Sequence, residues 1–253
     1  MMSQNTSAIP SSLCGLKIAL GLLLLAISFP AVAQRRVSAD VEVKQVFQGK
    51  ALTTTKSVYC ANNGRLVVVA SKPQKYVLVT NIKGESKFYL PDSNQVLVDN
   101  SGVASSKDEL LSLFLSGRVD DLGLGLYGYK LESTSRDGKY LVRTYVATSG
   151  NDVPHVKIVY DNYLPVYCSY INDGGREVSK IYFSNYINLQ RLAFPCRMTQ
   201  ISYTAKGDST VTRTIYSNLE ADTSDSWFDF DVPSDASVMS LKDAAKILSN
   251  IEK

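Results

Sequence analysis

From residue 65 to residue 218 the chain returns repeatedly to short runs of β-branched and aromatic residues, each bounded by Gly, Asn, Asp or Pro. Runs of this length and composition read as strands rather than helices. Residues 65–70, 76–81, 86–90 and 95–99 form one expected antiparallel meander, with turns at Lys83-Gly84 and at 91–94. A second follows at 129–135, 140–147, 155–161, 165–171, 178–186, 197–205 and 209–218. Arg136-Asp-Gly138, Asp161-Asn162 and Asn172-Asp-Gly-Gly175 supply the residues that tolerate positive φ in tight hairpins. About ten successive strands are too many for a flat sheet, so a strongly curved or partly closed antiparallel barrel is expected.

Two helical segments interrupt the pattern. Ser106-Lys-Asp-Glu109 is a capping-box start, and Leu110, Leu111, Leu113, Phe114 and Leu115 follow before Gly117. A short helix over 106–116 that is apolar most of the way round must be covered by protein or lie against something apolar. The other helix begins near Ser240 and places Leu241, Ala244, Ala245, Leu248 and Ile251 on one face, to cap the open end or outer face of the sheet.

The N-terminus reads as an address. Lys17 precedes an apolar run over 18–29, and Ala31-Val-Ala33 follows before Gln34. A basic flank, a short apolar core and an A-x-A site describe a secretory signal peptide, cleaved after Ala33. The run of about a dozen residues is shorter than the roughly 20 needed to span a membrane. Cys14 lies before that run and follows Leu13, which does not suit a site of acylation. The remaining residues, 34–253, fit one all-β domain.

Secretion permits disulfides, and Cys60, Cys168 and Cys196 follow the leader. Their odd number leaves at least one thiol unpaired. Cys168 and Cys196 flank an expected strand; if the three strands pair in order, these cysteines lie about 9.6 Å apart, too far for a disulfide. Buried free thiols are the simplest expectation, with the sequence-distant pairs left open.

Enzymatic signatures are not found. The lone His155, beside Pro154 at a strand start, has no Cys or His at metal-ligand spacing and reads as a strand-edge residue. No nucleophile elbow, phosphate-cradling loop or dinucleotide fingerprint occurs. The pairs Asp120-Asp121 and Asp229/Asp231 read as solvated loop and strand-face carboxylates. The net charge of +3 offers no strong basic stripe for nucleic acid. The expectation is a protein with no catalytic residues, no metal and no cofactor.

Three landmarks together carry a resemblance to a known family. Gly64-Arg-Leu-Val-Val-Val-Ala-Ser-Lys-Pro73 is a strand ending in a basic residue and proline. Asn81-Ile-Lys-Gly-Glu-Ser-Lys-Phe-Tyr-Leu-Pro91 is similar to that family's D-G-K…Y-x-P hairpin. Phe228-Asp-Phe-Asp-Val-Pro-Ser-Asp-Ala236 looks like its closing F-x-F-x-x-P strand. Together they resemble the LolA-like family of periplasmic outer-membrane lipoprotein carriers over about residues 64–238, and the resemblance implies an incompletely closed β-barrel with lid helices over an apolar cavity for acyl chains. The segment 34–60 departs from it, reading as strand and loop where LolA itself begins with a long helix. The first motif is also two residues longer between Leu66 and Pro73, and Lys72 stands where the carrier has an arginine bonded to its lid.

The resemblance and the strand alternation together nominate the cavity and lid: Val67, Val69, Tyr76, Leu78, Phe88, Leu110, Leu111, Phe114, Val156, Ile158, Tyr160, Ile181 and Phe183. Arg143 and Arg213 interrupt otherwise apolar strand faces, so each should meet a carboxylate, reach the rim or contact a head group. With Lys72 they make up the expected polar contacts. The implied function is a periplasmic carrier of lipid or lipoprotein acyl chains, acting as a monomer between an inner-membrane donor and an outer-membrane acceptor. The alternative is a β-rich surface or scaffold module that binds glycan or protein, in which case the barrel interior would be filled.

Overall fold

The computed structural model describes residues 35–102, 104–150 and 152–240. The expected leader over 1–33 and the expected helix from Ser240 lie outside the described residues, apart from Ser240 itself.

The chain enters through a hairpin of two long strands, β1 (Arg36–Phe47) and β2 (Lys50–Ala61). The strand-and-loop expectation for 34–60 is therefore corrected. Gln48 and Gly49 both take positive φ, 47° and 77°, a turn whose twist matches that of the flanking strands. Along β1, buried Val37, Ala39 and Val41 alternate with more exposed residues, as a strand with one covered face requires.

The first meander continues through β3 (Leu66–Lys72), β4 (Tyr76–Thr80), β5 (Ser86–Leu90) and β6 (Gln95–Asp99). A crossing segment follows, with 3-10 turns at Ser106–Asp108 and Leu124–Tyr127 on either side of a short α-helix, α1 (Leu110–Leu115). The second meander comprises β7 (Tyr129–Asp137), β8 (Tyr140–Ala147), β9 (His155–Asp161), β10 (Leu164–Ile171), β11 (Glu177–Leu189), β12 (Leu192–Tyr203) and β13 (Ser209–Ala221).

The two meanders join into one sheet because β1 pairs antiparallel with β13, Val41 opposite Tyr216. The order is β14-β6-β5-β4-β3-β2-β1-β13-β12-β11-β10-β9-β8-β7, where β14 (Ser237–Val238) is a short parallel addition to β6. The outer strands β7 and β14 do not pair with each other, so the sheet is an open half-barrel, the incomplete closure that the family resemblance implied.

Its two faces carry separate cores. On the inner face Val37, Val58, Cys60, Leu66, Val156, Ile158, Tyr160, Phe194 and Tyr216 pack with α1. On the outer face of the first meander, Val67, Val77, Val79, Tyr89 and Val96 pack against Trp227, Phe230, Val232 and Ala236. The F-x-F-x-x-P segment is thus not a closing strand over its length: it is a 3-10 turn, Ser226–Asp229, and an irregular strap over the back of the sheet. Arg36 holds Asp229 through two 2.8 Å hydrogen bonds, and Arg65 donates to the carbonyls of Phe228 (3.1 Å) and Phe230. The paired Asp229 and Asp231 are ion-pair partners of these two arginines.

Candidate functional site: a cavity beside the buried helix

The helix enters the concave face at one end of the strands. Its capping box begins one residue before the expected place: Ser105 caps the 3-10 turn with Asp108 as its reciprocal partner, and Glu109 then caps α1. All six residues of α1 are buried, with Leu111 0% and Phe114 2% exposed. Phe114 meets Phe194 edge to face at 5.3 Å, and Phe194 meets Tyr216 likewise at 4.9 Å. Leu111 and Phe114, nominated as lid residues, thus lie in the core cluster.

The helix does not fill the whole trough. Toward the end of the sheet that carries the 48–49 and 204–208 turns, a cavity of ~520 Å³ remains. Its floor includes a cross-strand row in which Phe183, Met198, Thr214 and Val43 are successive register partners. Leu110, Leu113, Leu122 and Leu124 face it from the crossing segment, and Ile181, Cys168, Tyr129 and Tyr170 from the second meander. Lys107 and Tyr127 lie at its exposed side, the ammonium 4.7 Å from the ring centre, and the Tyr127 hydroxyl donates to Asp108.

One wall is polar and buried. Glu109, 7% exposed, accepts from the Tyr216 hydroxyl at 2.7 Å and from the Lys56 ammonium at 3.1 Å. Burial works to lower the Lys56 pKa, but the charge and hydrogen bond of Glu109 outweigh it and the net shift is upward. Burial, then Glu109, pushes Tyr216 well above the ordinary tyrosine range. Burial and Glu109 likewise raise Cys60 well above an ordinary thiol, with Lys56 opposing. The three cysteines among the described residues are free; Cys168 is pushed to about 12 by burial.

A second polar cluster fixes the crossing loop. The Asp120 carbonyl accepts from the Tyr145 hydroxyl at 2.7 Å, from Arg143 at 3.1 Å and from the Tyr160 hydroxyl. Arg143 lies over the Tyr160 ring and 3.5 Å from the Asp120 carboxylate. Of the three fates open to Arg143, the structure gives it the carboxylate. Asp121 turns inward to its own loop and accepts from the N–H groups of Gly123 and Gly125.

The nominated residues therefore separate. Leu110, Ile181 and Phe183 line the cavity. Val156, Ile158 and Tyr160 pack in the core with α1, beside the cavity rather than around it. Tyr76, Leu78 and Phe88 lie farther along the same trough, with the Tyr76 and Phe88 rings 4.7 Å apart. Val67 and Val69 are corrected outright: they face the strap on the opposite side of the sheet, because a strand buried on both faces hides the alternation that would tell in from out. Arg213 is exposed on the outer face, since the covered residues of β13 are Thr214 and Tyr216. Lys72 is exposed as well, and the bond from a lysine to the helix is made by Lys56 instead.

Sequence reasoning missed Val43, Lys56, Glu109, Tyr170, Met198 and Tyr216. The available signal was Lys56 itself, a charge in phase with the inward-facing Val58 and Cys60, preceding a helix that begins with an acid. Among the described residues no group of three or more His, Cys, Asp and Glu is placed to hold a metal.

No protein-family model and no curated protein matches this sequence. Solved structures do. A LolA superfamily protein from Nitrosomonas europaea aligns over 74% of this chain and 86% of its own, at 13% identity and a TM-score of 0.52. A DUF1329 family protein from Desulfovibrio piger aligns over 85% and 95%, at 16% and 0.53. A protein from Vibrio parahaemolyticus described as an outer membrane lipoprotein-sorting protein domain aligns over 84% and 90%, at 13% and 0.51. At identities this low the likeness is one of fold, and the chain has the open half-barrel of the LolA-like proteins.

Proposed function

We propose that this protein is a non-enzymatic carrier that shelters an acyl chain, of a lipid or of a lipoprotein, in the cavity between α1 and the second meander. The cavity itself carries the reading: a trough lined mainly by apolar side chains, with one polar wall, left open beside a packed helix in a fold whose solved examples include a lipoprotein-sorting domain. A methylene occupies about the volume of a water molecule in the liquid, ~30 Å³, so ~520 Å³ takes roughly 17 of them, one long chain. Each buried methylene contributes about 0.8 kcal/mol, enough for tight holding without a covalent bond. The leader read over residues 1–33 supports a periplasmic setting for this work, in which a membrane donor and an outer-membrane acceptor exchange the cargo.

The test is direct. A solvatochromic fatty-acid probe should bind the mature protein and be displaced by lipid, and Ile181→Glu should weaken binding about tenfold or more, because a carboxylate in the trough must be desolvated. Wild-type binding no stronger than that of an unrelated cavity-free β-protein would favour the scaffold reading instead.

A further inference from the structure

The hairpin β1–β2 runs past the covered part of the sheet. Beyond Val43 its residues are exposed on both faces, and the large apolar side chains are not spared: Val46, Phe47 and Leu52 are 36%, 38% and 44% exposed. Val46 is the register partner of Val211 on β13, itself 36% exposed, so the two form one apolar patch on the outer face. Phe47 and Leu52 stand on the inner face. They are in phase with Val43 and Lys56, which line the cavity, and the pairs 43/54, 45/52 and 47/50 lead stepwise from the cavity to the turn. A wall that begins in the cavity thus ends in exposed apolar residues at the tip.

The charges around this tip are mostly positive. Over residues 44–52 and 204–213 stand Lys44, Lys50, Lys206 and Arg213, all exposed, against a single acid, Asp208. Lys44 and Arg213 are direct cross-strand partners, like charges set side by side, which costs stability unless something external offsets it. Among the described residues none of the four cations is in an ion pair. Apolar side chains ringed by unpaired cations match the boundary of an anionic bilayer, where rings and aliphatic groups enter the acyl edge and cations meet phosphate.

We propose that this hairpin tip, with the adjoining 204–208 turn, is a membrane-contact element that docks on an anionic phospholipid surface. Phe47, Leu52, Val46 and Val211 enter the interface, while Lys44, Lys50, Lys206 and Arg213 pair with lipid phosphates. Docked in this way, the strand face that begins at the cavity runs on to the bilayer edge, with Leu52 and Phe47 as apolar steps between the two.

Vesicle co-sedimentation tests this, using phosphatidylcholine vesicles with and without phosphatidylglycerol. The mature wild-type protein should sediment with the anionic vesicles and be released by salt. Phe47→Ser/Leu52→Ser and Lys44→Glu/Arg213→Glu should each weaken binding about tenfold or more, at about 1 kcal/mol per surface cation and 1.4 kcal/mol per factor of ten. Because these positions are exposed, the variants should keep the wild-type unfolding midpoint. Failure of the wild type to bind anionic vesicles, or binding unchanged in both double variants, overturns the proposal. Retention on polyglutamate as strong as on vesicles, with Phe47→Ser/Leu52→Ser unaffected, would also overturn it and assign the tip to an acidic protein. Probe affinity without vesicles separates the two claims: its loss in the wild type removes the carrier reading, whereas vesicle binding judges the tip alone.

Discussion

Glu109 holds more together than any other single side chain near the cavity. It caps α1, takes the hydroxyl of Tyr216 and neutralises Lys56, thereby tying the crossing segment to β2 and β13. Removing one member of a buried pair leaves the other charge desolvated, whereas replacing both can be nearly neutral. Glu109→Ala should therefore cost about 2–4 kcal/mol, measured as a lowered urea midpoint at neutral pH. Lys56→Met combined with Glu109→Gln should regain most of that loss, because the glutamine still accepts from Tyr216 and no cation is stranded. If the double variant is as unstable as Glu109→Ala, the ion pair is not the source of the effect. Lys72 was read from sequence as the basic tether because it precedes the proline of the first motif. The tether is Lys56, since the inward side of β2, unlike the end of β3, faces the helix cap.

Among the elements, α1 is the one whose role turns on depth. A six-residue helix has no stability of its own and forms only because its environment buries it. Its periodicity was legible from the leucines and Phe114, and so was the demand for cover, but a lid and a plug have the same sequence. Here Phe114 rests on Phe194 inside the main core. Phe114→Ala should lower stability by about 3–5 kcal/mol through lost burial and a residual cavity. A midpoint unchanged from wild type, with altered probe affinity, would return the helix to the role of a weakly held lid. The adjoining loop is set by close backbone approach: a Cβ on Gly84, at φ +79°, would stand 2.4 Å from the Cα of Gly102. That is why the Lys83-Gly84 turn expected from sequence has no room for another residue.

For the molecule as a whole, the many tyrosines become a property of the fold. Tyr160, Tyr170, Tyr186 and Tyr216 are all raised above the ordinary tyrosine value of 10.0, burial being the first cause in each. Cys60 and Cys168 are raised above 9.0 for the same first reason. Above these ordinary values the unfolded chain has released protons that the folded chain still holds, so the folded state binds more protons and stability falls as pH rises. Stability from these groups should be fully present below pH 9.0, decline first as thiols ionise in the unfolded chain and more steeply above 10.0. Thermal unfolding followed from neutral to strongly alkaline pH checks this, and a level midpoint throughout would refute it. The strand pattern sufficed to place most strands of the two meanders and to call for a strongly curved antiparallel sheet, because period-two burial is a local property of each strand; that the sheet stays incompletely closed was implied only by the resemblance. The sequence by itself also determined that α1 must be covered. Only the tertiary structure decided what covers it, which face of β3 looks inward and where the cavity remains. Those answers depend on the pairing of β1 with β13 and on the strap that Arg36 and Arg65 hold over the back of the sheet, contacts between residues more than 150 positions apart that no local pattern records.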